Sequence, residues 1–272
     1  MSVPAARAPL AAPGPPDVSV ILATLNERQN LPELLERIWA TPLPPIEVLV
    51  VDDGSTDGTR EFLEEGARAE PRLRPVWHEG KQTTLTAQCQ GIALARGRFV
   101  IVMDADLQHQ PETLAPMVDR LEKGASLVVG SRYAPGGSAG PRPGVRAVIS
   151  RGAELTAKVL LPEARGVSDP VSGLFGFRRE IFRPLPPEWR GYKLLLFLLV
   201  MNRGQRVVEV GYRFEPRGSG SSKVTQNSRF IRFFLTELVL AGRLRRVLRR
   251  EGRTAPASPS SHRGGQREGD RF

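Results

Sequence analysis

Short runs of β-branched and other apolar residues alternate with helix-like segments through the first half of this chain. No other feature constrains its fold as much. Strands separated by helices are typical of a mostly parallel sheet whose crossover helices cover its faces. The predicted strands are Val18–Ala23, Ile46–Asp52, Leu73–Trp77, Phe99–Met103 and Leu127–Gly130. We therefore predict the α/β class, with a Rossmann-like sheet and flanking helices in one domain.

Residues that favour helix starts stand between these strands. Polar capping side chains and a proline in the first turn both favour the beginning of a helix. The predicted starts are Asn30 with Pro32, Ser55 or Thr56, and Pro111. These signals predict crossover helices after the first, second and fourth strands.

The second half of the chain is less regular. After a glycine- and proline-rich loop, a helix, a short extended segment, a second helix and a strand lead to a loop of glycine and serine. The predicted segments are Val145–Leu160, Gly173–Arg178, about Tyr192–Met201 and Val207–Tyr212, with the last loop at Arg217–Lys223. We interpret this half as the side of the molecule that receives a second substrate.

The 272 residues, 40% of them hydrophobic, suffice for one substantial core. Residues 1–16 are rich in alanine and proline, and residues 251–272 are rich in serine, glycine and arginine. Both ends offer little to bury, so we predict that they are disordered. A folded domain at 17–228 and a basic amphipathic helix at 229–250 remain between them.

The formal net charge of +10 would suit a nucleic-acid-binding protein. From Arg243 onward, however, nine arginines face three acidic residues, so 9 − 3 = +6 of this charge lies in the tail. Aromatic residues make up only 6% of the chain and form no platform with basic residues. We therefore expect no nucleic-acid partner. The single cysteine, Cys89, excludes an intrachain disulfide and indicates a reducing compartment.

The helix predicted at Phe230–Arg250 admits two interpretations. Its arginines could bind the anionic head groups of a membrane surface, or its apolar positions could pack on the core and leave a solvated arginine face. The longest apolar run, Leu194–Met201, is far shorter than the roughly 20 residues of a membrane-spanning helix. The first residues lack the pattern of a signal peptide. We expect a cytoplasmic protein that is peripheral on the membrane.

Two acidic motifs follow predicted strands, where ligands bind in open α/β sheets. Asp104-Ala105-Asp106 follows the fourth strand, and alternation along a strand would point its carboxylates the same way. Such a pair suits a hard divalent cation, although an Asp pair can also merely cap the next helix. In the Asp52-Asp53 turn, one aspartate could bind the base or ribose of a nucleotide. Both could also be ordinary turn residues.

Several further stretches accompany these motifs in a fixed order. They are Val18–Ile21 with Asn26–Arg28, Val50–Thr59, Met103–His109 with Pro111–Glu112, Gly130–Tyr133, Asp169–Gly173, Gly191–Leu195, and Arg217, Gly220, Ser222 and Lys223. In this order they resemble glycosyltransferase family 2, and more narrowly the polyprenol-phosphate (dolichol-phosphate) mannosyltransferases. The resemblance implies a GT-A fold and an inverting transfer of mannose from GDP-mannose to a polyprenyl phosphate. It also implies a need for Mg²⁺ or Mn²⁺.

The resemblance also implies roles for individual residues. The residues expected to bind the nucleotide sugar are Ala23, Leu25, Glu27, Val51 and Asp53, around the base and ribose, together with Asp104, Ala105, Arg132, Arg217 and Lys223. The metal would be held by Asp104, Asp106 and Gln108, while Arg132, Arg217 and Lys223 would face phosphates. Catalysis would depend on Asp104, Asp106, Arg132 and Asp169, the last of them positioning sugar or metal. His109 is expected to support the site rather than to act as an acid or base.

An acceptor phosphate is already anionic at neutral pH, so it needs positive charge and positioning rather than a general base. Candidate ligands for this phosphate are Arg146, Arg151 and Ser222. For the two arginines, a solvated helix face is an equally good interpretation.

Two loops depart from the family pattern. Ala23-Thr24-Leu25 replaces the usual Pro-x-Tyr, and the segment Gly80–Thr86 is closer to that of related glucosyl- and aminoarabinosyl-transferases. UDP-glucose or another UDP-sugar is therefore the alternative donor, and a catalytically inactive nucleotide-sugar binder is a further alternative. Many relatives carry a carboxy-terminal transmembrane pair that this sequence lacks. We expect the C-terminal helix, or a separate membrane-anchor partner, to provide membrane contact instead.

Overall fold

The structure is a computed structural model that describes residues 14–78, 83–140, 144–186, 193–216, 218 and 229–250. Side chains at 144–149, 229–235, 237 and 248–250 are outside this description. Within it, the strands are β1 (Val18–Thr24), β2 (Ile46–Asp52), β3 (Leu73–Trp77), β4 (Phe99–Asp104), β5 (Leu127–Ser131), β6 (Phe175–Arg178) and β7 (Val207–Gly211). The helices are α1 (Leu31–Ala40), α2 (Thr59–Ala69), α3 (Thr84–Leu94), α4 (Leu114–Glu122), α5 (Gly144–Leu160), α6 (Leu194–Met201) and α7 (Arg229–Arg250).

The strands form one sheet in the order β3-β2-β1-β4-β6-β5-β7. All neighbouring strands are parallel except β6, which runs antiparallel to both β4 and β5. The chain moves from β1 outward to β3 and then returns to β4 on the other side of β1, so the strand order reverses there. Ligands of open α/β sheets bind at such a reversal. The prediction of an α/β fold with a mostly parallel sheet is confirmed.

Alternate residues of the central strands belong to two separate apolar cores, one on each face of the sheet. Ile21 of β1 lies in one core and Val20 in the other, as the two-residue period of a strand requires. Helix α6 is buried from Leu194 to Val200 within the first core. A helix that is apolar all round must be buried in this way, which explains the longest apolar run of the sequence.

Several predicted helix starts need correction. Asn30 precedes α1 but makes no capping bond with its side chain, which instead donates to Glu27 Oε2 at 2.5 Å. Helix α2 begins only at Thr59, because Ser55 is used within the preceding loop, where its hydroxyl accepts from the Asn26 N–H. Pro111 opens a single 3-10 turn that leads into α4. Helix α3 was not predicted; Thr83 caps it by accepting from the Thr86 N–H.

Helix α7 packs on the first core, because Leu238 and Ala241 are buried there and the helix contacts α5 and α6. Arg245 also pairs with the nearly buried Glu163 at 2.9 Å. Core packing, one of the two interpretations of this segment, is therefore confirmed for the described side chains. The opposite side of the helix is exposed at Arg243 and Val247. The predicted disordered ends, apart from residues 14–16, lie outside the described residues.

Of the helices in the described ranges, none is both long enough and apolar enough to cross a membrane.

Candidate active site at the carboxyl edge of the sheet

Strand register brings three of the predicted residues into one row at the carboxyl edge. Ala23 of β1 stands beside Val51 of β2 on one side and beside Asp104 of β4 on the other. The nucleotide candidates Ala23 and Val51 are therefore direct neighbours of the first carboxylate of the acidic pair. Ala105, which follows Asp104, is buried.

The loops that follow β1 and β2 are bonded to each other. Asn26 has a φ of 57°, a left-handed conformation that asparagine tolerates better than most residues. In this conformation its N–H donates to Ser55 Oγ at 2.7 Å and its side-chain oxygen accepts from the Thr56 N–H at 2.8 Å. Arg28 N–H donates to Asp57 at 3.0 Å. These bonds hold the two nucleotide-side loops as one unit.

Within the Asp-Asp turn, the two aspartates have different roles. Asp52 accepts from the N–H groups of Gly54 and Ser55 and from the Ser55 hydroxyl, so it stabilises its own turn. The Asp53 N–H donates to Thr24 O, which ties this residue to the end of β1. Asp53 is thus the candidate for a nucleotide contact. Glu27 and Leu25 lie in the adjoining loop, where Glu27 accepts from the buried Asn30.

The acidic pair is asymmetric. The side chain of Asp104 is 44% exposed, whereas Asp106 is buried and its Oδ1 accepts from the Gln108 N–H at 3.1 Å. Between them and Gln108, Leu107 adopts a φ of 64°, which costs a non-glycine residue about 1 to 2 kcal/mol. Backbone strain of this kind clusters at functional sites. Here it turns the chain so that Asp106 and Gln108 lie in one tight loop.

His109 is buried against this loop and supports it. It is 2% exposed, and its Nδ1 accepts from the Asp104 N–H at 3.2 Å. Burial lowers the pKa of His109 to about 4, so the ring is neutral and its 3.7 Å approach to Asp104 Oδ2 is not an ion pair. The ring also meets Tyr212 and Phe214 edge-on at 5.3 and 5.9 Å between centroids. The expected supporting role of His109 agrees with this geometry.

Two segments from the second half of the chain close over the acidic loop. A Cβ placed on Gly173 would lie 2.6 Å from Asp104 Oδ2, so the 169–173 segment passes directly over this carboxylate. Glu215 N–H donates to Gln108 O at 3.0 Å, and Gly218 N–H donates to Asp106 O at 3.3 Å. Glu215 and Gly218 are therefore both bonded to the acidic loop. Arg217, Ser222 and Lys223 themselves lie outside the described residues.

Arg132 and Asp169 form a buried bidentate pair. Arg132 Nε and Nη2 each donate to an Asp169 oxygen at 2.6 Å, and the Arg132 N–H donates to the same carboxylate at 3.2 Å. Although burial alone lowers the pKa of the Arg132 guanidinium, its bonds to Asp169 raise it above the ordinary value. The sequence predicted that Asp169 positions sugar or metal; in the structure its carboxylate positions Arg132. A direct contact from Asp169 to a substrate or metal stays a prediction.

The arginines proposed for the acceptor lie on α5. Arg151 is 65% exposed, stacks over the Tyr133 ring at 4.1 Å from its centroid and pairs with the buried Glu154 at 3.2 Å. Arg132 Nη1 reaches the Ser150 hydroxyl on the same helix at 3.4 Å. Arg151 is therefore close to the Arg132–Asp169 pair. The side chain of Arg146 is outside the described residues.

Among the described residues there is no cluster of three or more histidine, cysteine, aspartate or glutamate side chains that could hold a metal. Of the described residues, Asp104, Asp106 and the Gln108 amide would contribute ligands, and phosphate oxygens and water would supply others. Mg²⁺ and similar hard cations are commonly bound in this way, through one or two carboxylates plus substrate phosphates. The donor set fits a divalent cation that arrives with a nucleotide diphosphate.

Comparison with known proteins identifies the family of this chain. Residues 19–185 match the family model described as glycosyl transferase family 2. This chain belongs to glycosyltransferase family 2. A dolichol-phosphate mannosyltransferase of Pyrococcus furiosus is 37% identical over 76% of this chain, which spans only 59% of that relative. A polyprenol monophosphomannose synthase of Mycolicibacterium smegmatis is 37% identical over 91% of this chain and 98% of its own length.

A solved structure has a similar fold. Glucosyl-3-phosphoglycerate synthase from Mycobacterium tuberculosis, solved with Mn²⁺, UDP-glucose and phosphoglyceric acid, superposes with a TM-score of 0.63 at 23% identity. The match covers 84% of this chain and 80% of that one. At this identity the likeness supports the GT-A architecture alone.

Sequence patterns did not single out several residues that the structure brings to the site. Tyr212 packs on His109, Glu154 pairs with both Arg132 and Arg151, and Glu209 binds the backbone that precedes Asp169. Glu154 offered a signal, because it stands on the buried face of a helix where an unpaired carboxylate would be costly. Glu209 offered a similar signal, because it is a carboxylate within the otherwise apolar strand Val207–Gly211.

Proposed function

We propose that this protein transfers mannose from GDP-mannose to a polyprenyl phosphate, with inversion, to give polyprenyl-phosphate mannose. The observation that carries the proposal is the meeting of Asp104 and Asp106 with the 169–173 segment, Glu215 and Gly218 at the strand-order reversal. An acidic pair for a metal-bound diphosphate thus adjoins a buried arginine for a second phosphate. The names of the relatives, 32–37% identical, support mannose and polyprenyl phosphate as the substrates.

Asp104, Asp106 and Gln108 would hold Mg²⁺ or Mn²⁺ together with the donor diphosphate. When bound, the cation neutralises negative charge as the nucleoside diphosphate leaves. The half-exposed Asp104 is open to a substrate-borne ion, whereas the buried Asp106 is held by its bond from Gln108 N–H. Glu27, Asp53, Ala23, Leu25 and Val51 would surround the base and ribose.

Positive charge would orient the acceptor phosphate. Because this phosphate is anionic at neutral pH, it can attack the sugar without a general base. Arg132 is held by Asp169, and its Nη1 reaches Ser150 on α5, the helix that also carries Arg151. We assign Arg132, Arg217 and Lys223 to phosphates, with Arg132 shared between the donor and the acceptor through its Nη1. We assign Arg146, Arg151 and Ser222 to the acceptor.

Membrane contact would bring the lipid acceptor to this site. Leu155 and Val159 are 65% and 61% exposed one turn apart on α5, and Val239 and Val247 of the neighbouring α7 are about half exposed. Arg243 and Arg246 of α7 are exposed as well, and we call these six residues the α5–α7 surface. An apolar surface flanked by arginines suits the head groups of an anionic bilayer. We therefore propose a peripheral location on the cytoplasmic face, with a separate membrane-anchor partner as an additional contact.

The decisive experiment offers radiolabelled GDP-mannose or UDP-glucose together with a polyprenyl phosphate and Mg²⁺ or Mn²⁺, and counts label in the organic phase. We expect label from GDP-mannose only, with loss of at least about 100-fold in Asp106→Asn. Asp119→Asn, an exposed aspartate paired with Lys123, is the matched control and should keep wild-type activity. Label from UDP-glucose alone would favour the UDP-sugar alternative, which the altered Ala23–Leu25 loop motivates. Nucleotide binding without transfer from either donor would favour the inactive binder.

A further inference from the structure

Three residues beneath the Arg132–Asp169 pair form what we call the serine–glutamate cluster: Ser131, Ser168 and Glu209. Glu209 stands in the middle of β7, opposite Val129 of β5. Its two oxygens accept from the Ser168 N–H at 2.9 and 3.0 Å, and Oε1 also accepts from the Ser168 hydroxyl at 2.6 Å. Oε1 further lies 3.4 Å from the Asp169 nitrogen, which donates to it. One carboxylate thus holds the backbone on which Asp169 stands.

The same cluster holds the backbone on which Arg132 stands. The Ser131 and Ser168 hydroxyl oxygens lie 2.6 Å apart, within hydrogen-bond distance. Ser131 Oγ in turn accepts from the N–H groups of Tyr133 and Ala134, at 3.2 and 3.1 Å. The segments before Asp169 and around Arg132 are therefore joined through a single chain of bonds that ends at Glu209.

A lysine also holds the Ser168 backbone. Lys158 Nζ donates to Ser168 O at 3.0 Å, so it binds the same backbone from its other side. Hydrogen bonds to a carboxylate are about twice as strong as neutral ones, which makes this a firm anchor for a loop. Elements that fix the orientation of a functional group influence a reaction without touching the substrate.

We propose that Glu209 is a positioning residue, which fixes the Arg132 guanidinium relative to the acceptor phosphate through Ser168 and Asp169. The expected kinetic effect rests on the proposed function. The claim that Glu209 holds the backbone of the Arg132–Asp169 pair does not. Since Arg132 reaches α5 through Ser150, a shift of the pair should weaken use of the acceptor more than use of the donor.

Kinetics of Glu209→Gln in the 272-residue chain test the proposal. The amide replaces one of the two oxygens that accept from Ser168 by a donor, so the Ser168 backbone should shift. A misplacement of a functional group by about 1 Å can cost 10²-fold, so we expect about a 10-fold loss in kcat/KM. This loss should appear mainly in the KM for polyprenyl phosphate, with little change in the KM for GDP-mannose. In an Asp169→Asn background, the same change should cost less than about 2-fold, because coupled residues are not additive.

Glu47→Gln is the matched control. Glu47 is also a strand carboxylate that accepts from a serine hydroxyl, Ser19 at 2.6 Å, and from a backbone N–H, Arg96 at 2.7 Å. It lies near the start of β2, away from the carboxyl edge. A merely structural carboxylate of this kind should lower stability when replaced and leave the acceptor KM unchanged. If Glu209→Gln fails to fold, Ser168→Ala takes its place. It removes only the Ser168 hydroxyl, so it should raise the acceptor KM in the same way but by less.

Hydrogen exchange measured by mass spectrometry separates this proposal from the proposed function. In Glu209→Gln, peptides that cover 131–134 and 168–173 should exchange faster than in the wild type, and in Glu47→Gln they should not. Unchanged exchange in both peptides would overturn the inference, and so would equal kinetic losses in the wild-type and Asp169→Asn backgrounds. A wild-type protein that transfers no sugar would refute the proposed function instead, and the exchange rates would still decide whether Glu209 holds the pair.

Discussion

Replacing Gly173 with alanine tests whether the 169–173 segment and the acidic loop meet as the structure describes. A Cβ at this position would lie 2.6 Å from Asp104 Oδ2 and 3.0 Å from His109 Cε1. Ordinary contact begins at 3.4 Å, so the carboxylate would have to move by about 3.4 − 2.6 = 0.8 Å. Gly173 does not have a positive φ, so the change adds no backbone strain. The whole effect should fall on Asp104 and its neighbour His109.

Because the Asp104 side chain is 44% exposed, it can move toward solvent, and the stability cost should be at the low end of overpacking, about 1 kcal/mol. Activity should suffer far more, since a displacement of nearly 1 Å at a metal ligand can cost about 10- to 100-fold. Initial rates measured against Mn²⁺ concentration should show a raised metal requirement. Urea denaturation should show only the small loss of stability.

Gly152→Ala is the control for this variant. Gly152 lies in helix α5 with nothing within 4 Å of an added Cβ, so alanine should raise the free energy of unfolding by about 0.5 to 1 kcal/mol and leave turnover unchanged. If Gly173→Ala kept the wild-type metal dependence and turnover, then either Asp104 does not hold the metal or the segment does not press on it. In both cases the reasoning about this site would be refuted.

Three further outcomes follow from described contacts. Asp169→Asn should lower the free energy of unfolding, measured by urea denaturation, by about 3 kcal/mol, because it leaves Arg132 buried beside a weakened partner. A loss under about 1 kcal/mol would contradict the pairing. Burial raises the pKa of Cys89 to about 12, so about one thiol in ten thousand is ionised at pH 8. Iodoacetamide, which reacts with the thiolate, should therefore label Cys89 rapidly only after denaturation. The double variant Leu155→Ser with Val159→Ser should reduce pelleting with anionic liposomes by about 10-fold or more. Leu94→Ser, which changes an exposed leucine on α3, should pellet like the wild type. Equal pelleting of the double variant and the Leu94→Ser control would argue against the α5–α7 surface.

Strand positions were the most predictable part of the molecule. The strands Ile46–Asp52 and Leu73–Trp77 have the predicted bounds, because short runs with β-branched or aromatic residues between turn residues favour strands. Helix α3 was missed since its sequence mixes threonine, glutamine and glycine with apolar residues and lacks a clear apolar stripe. Its fit is decided by packing, as Gly91 lies directly against Ile21 and Val51 of two strands.

The candidate residues were predictable in kind but not in their partners. Sequence motifs predicted that Asp104 and Asp106 follow a strand at a ligand-binding edge, which depends only on local order. That Asp169 holds Arg132 could not be predicted, because the two residues are 37 positions apart and meet only after β6 inserts antiparallel between β4 and β5. Motif order likewise gave no reason to notice Glu209, whose role depends on the pairing of β7 with β5.

By itself, therefore, the sequence determined the alternation of strands and helices, the family and the acidic pair, since these depend on periodicity and on short motifs. The tertiary structure alone decided that α7 packs on the core through Leu238 and Ala241, and that Gly173 lies against Asp104. It also decided that one carboxylate, Glu209, underlies the arginine pair. Each of these is a contact between distant segments. Such contacts form only when the sheet brings those segments together, so local sequence cannot encode them in a readable pattern.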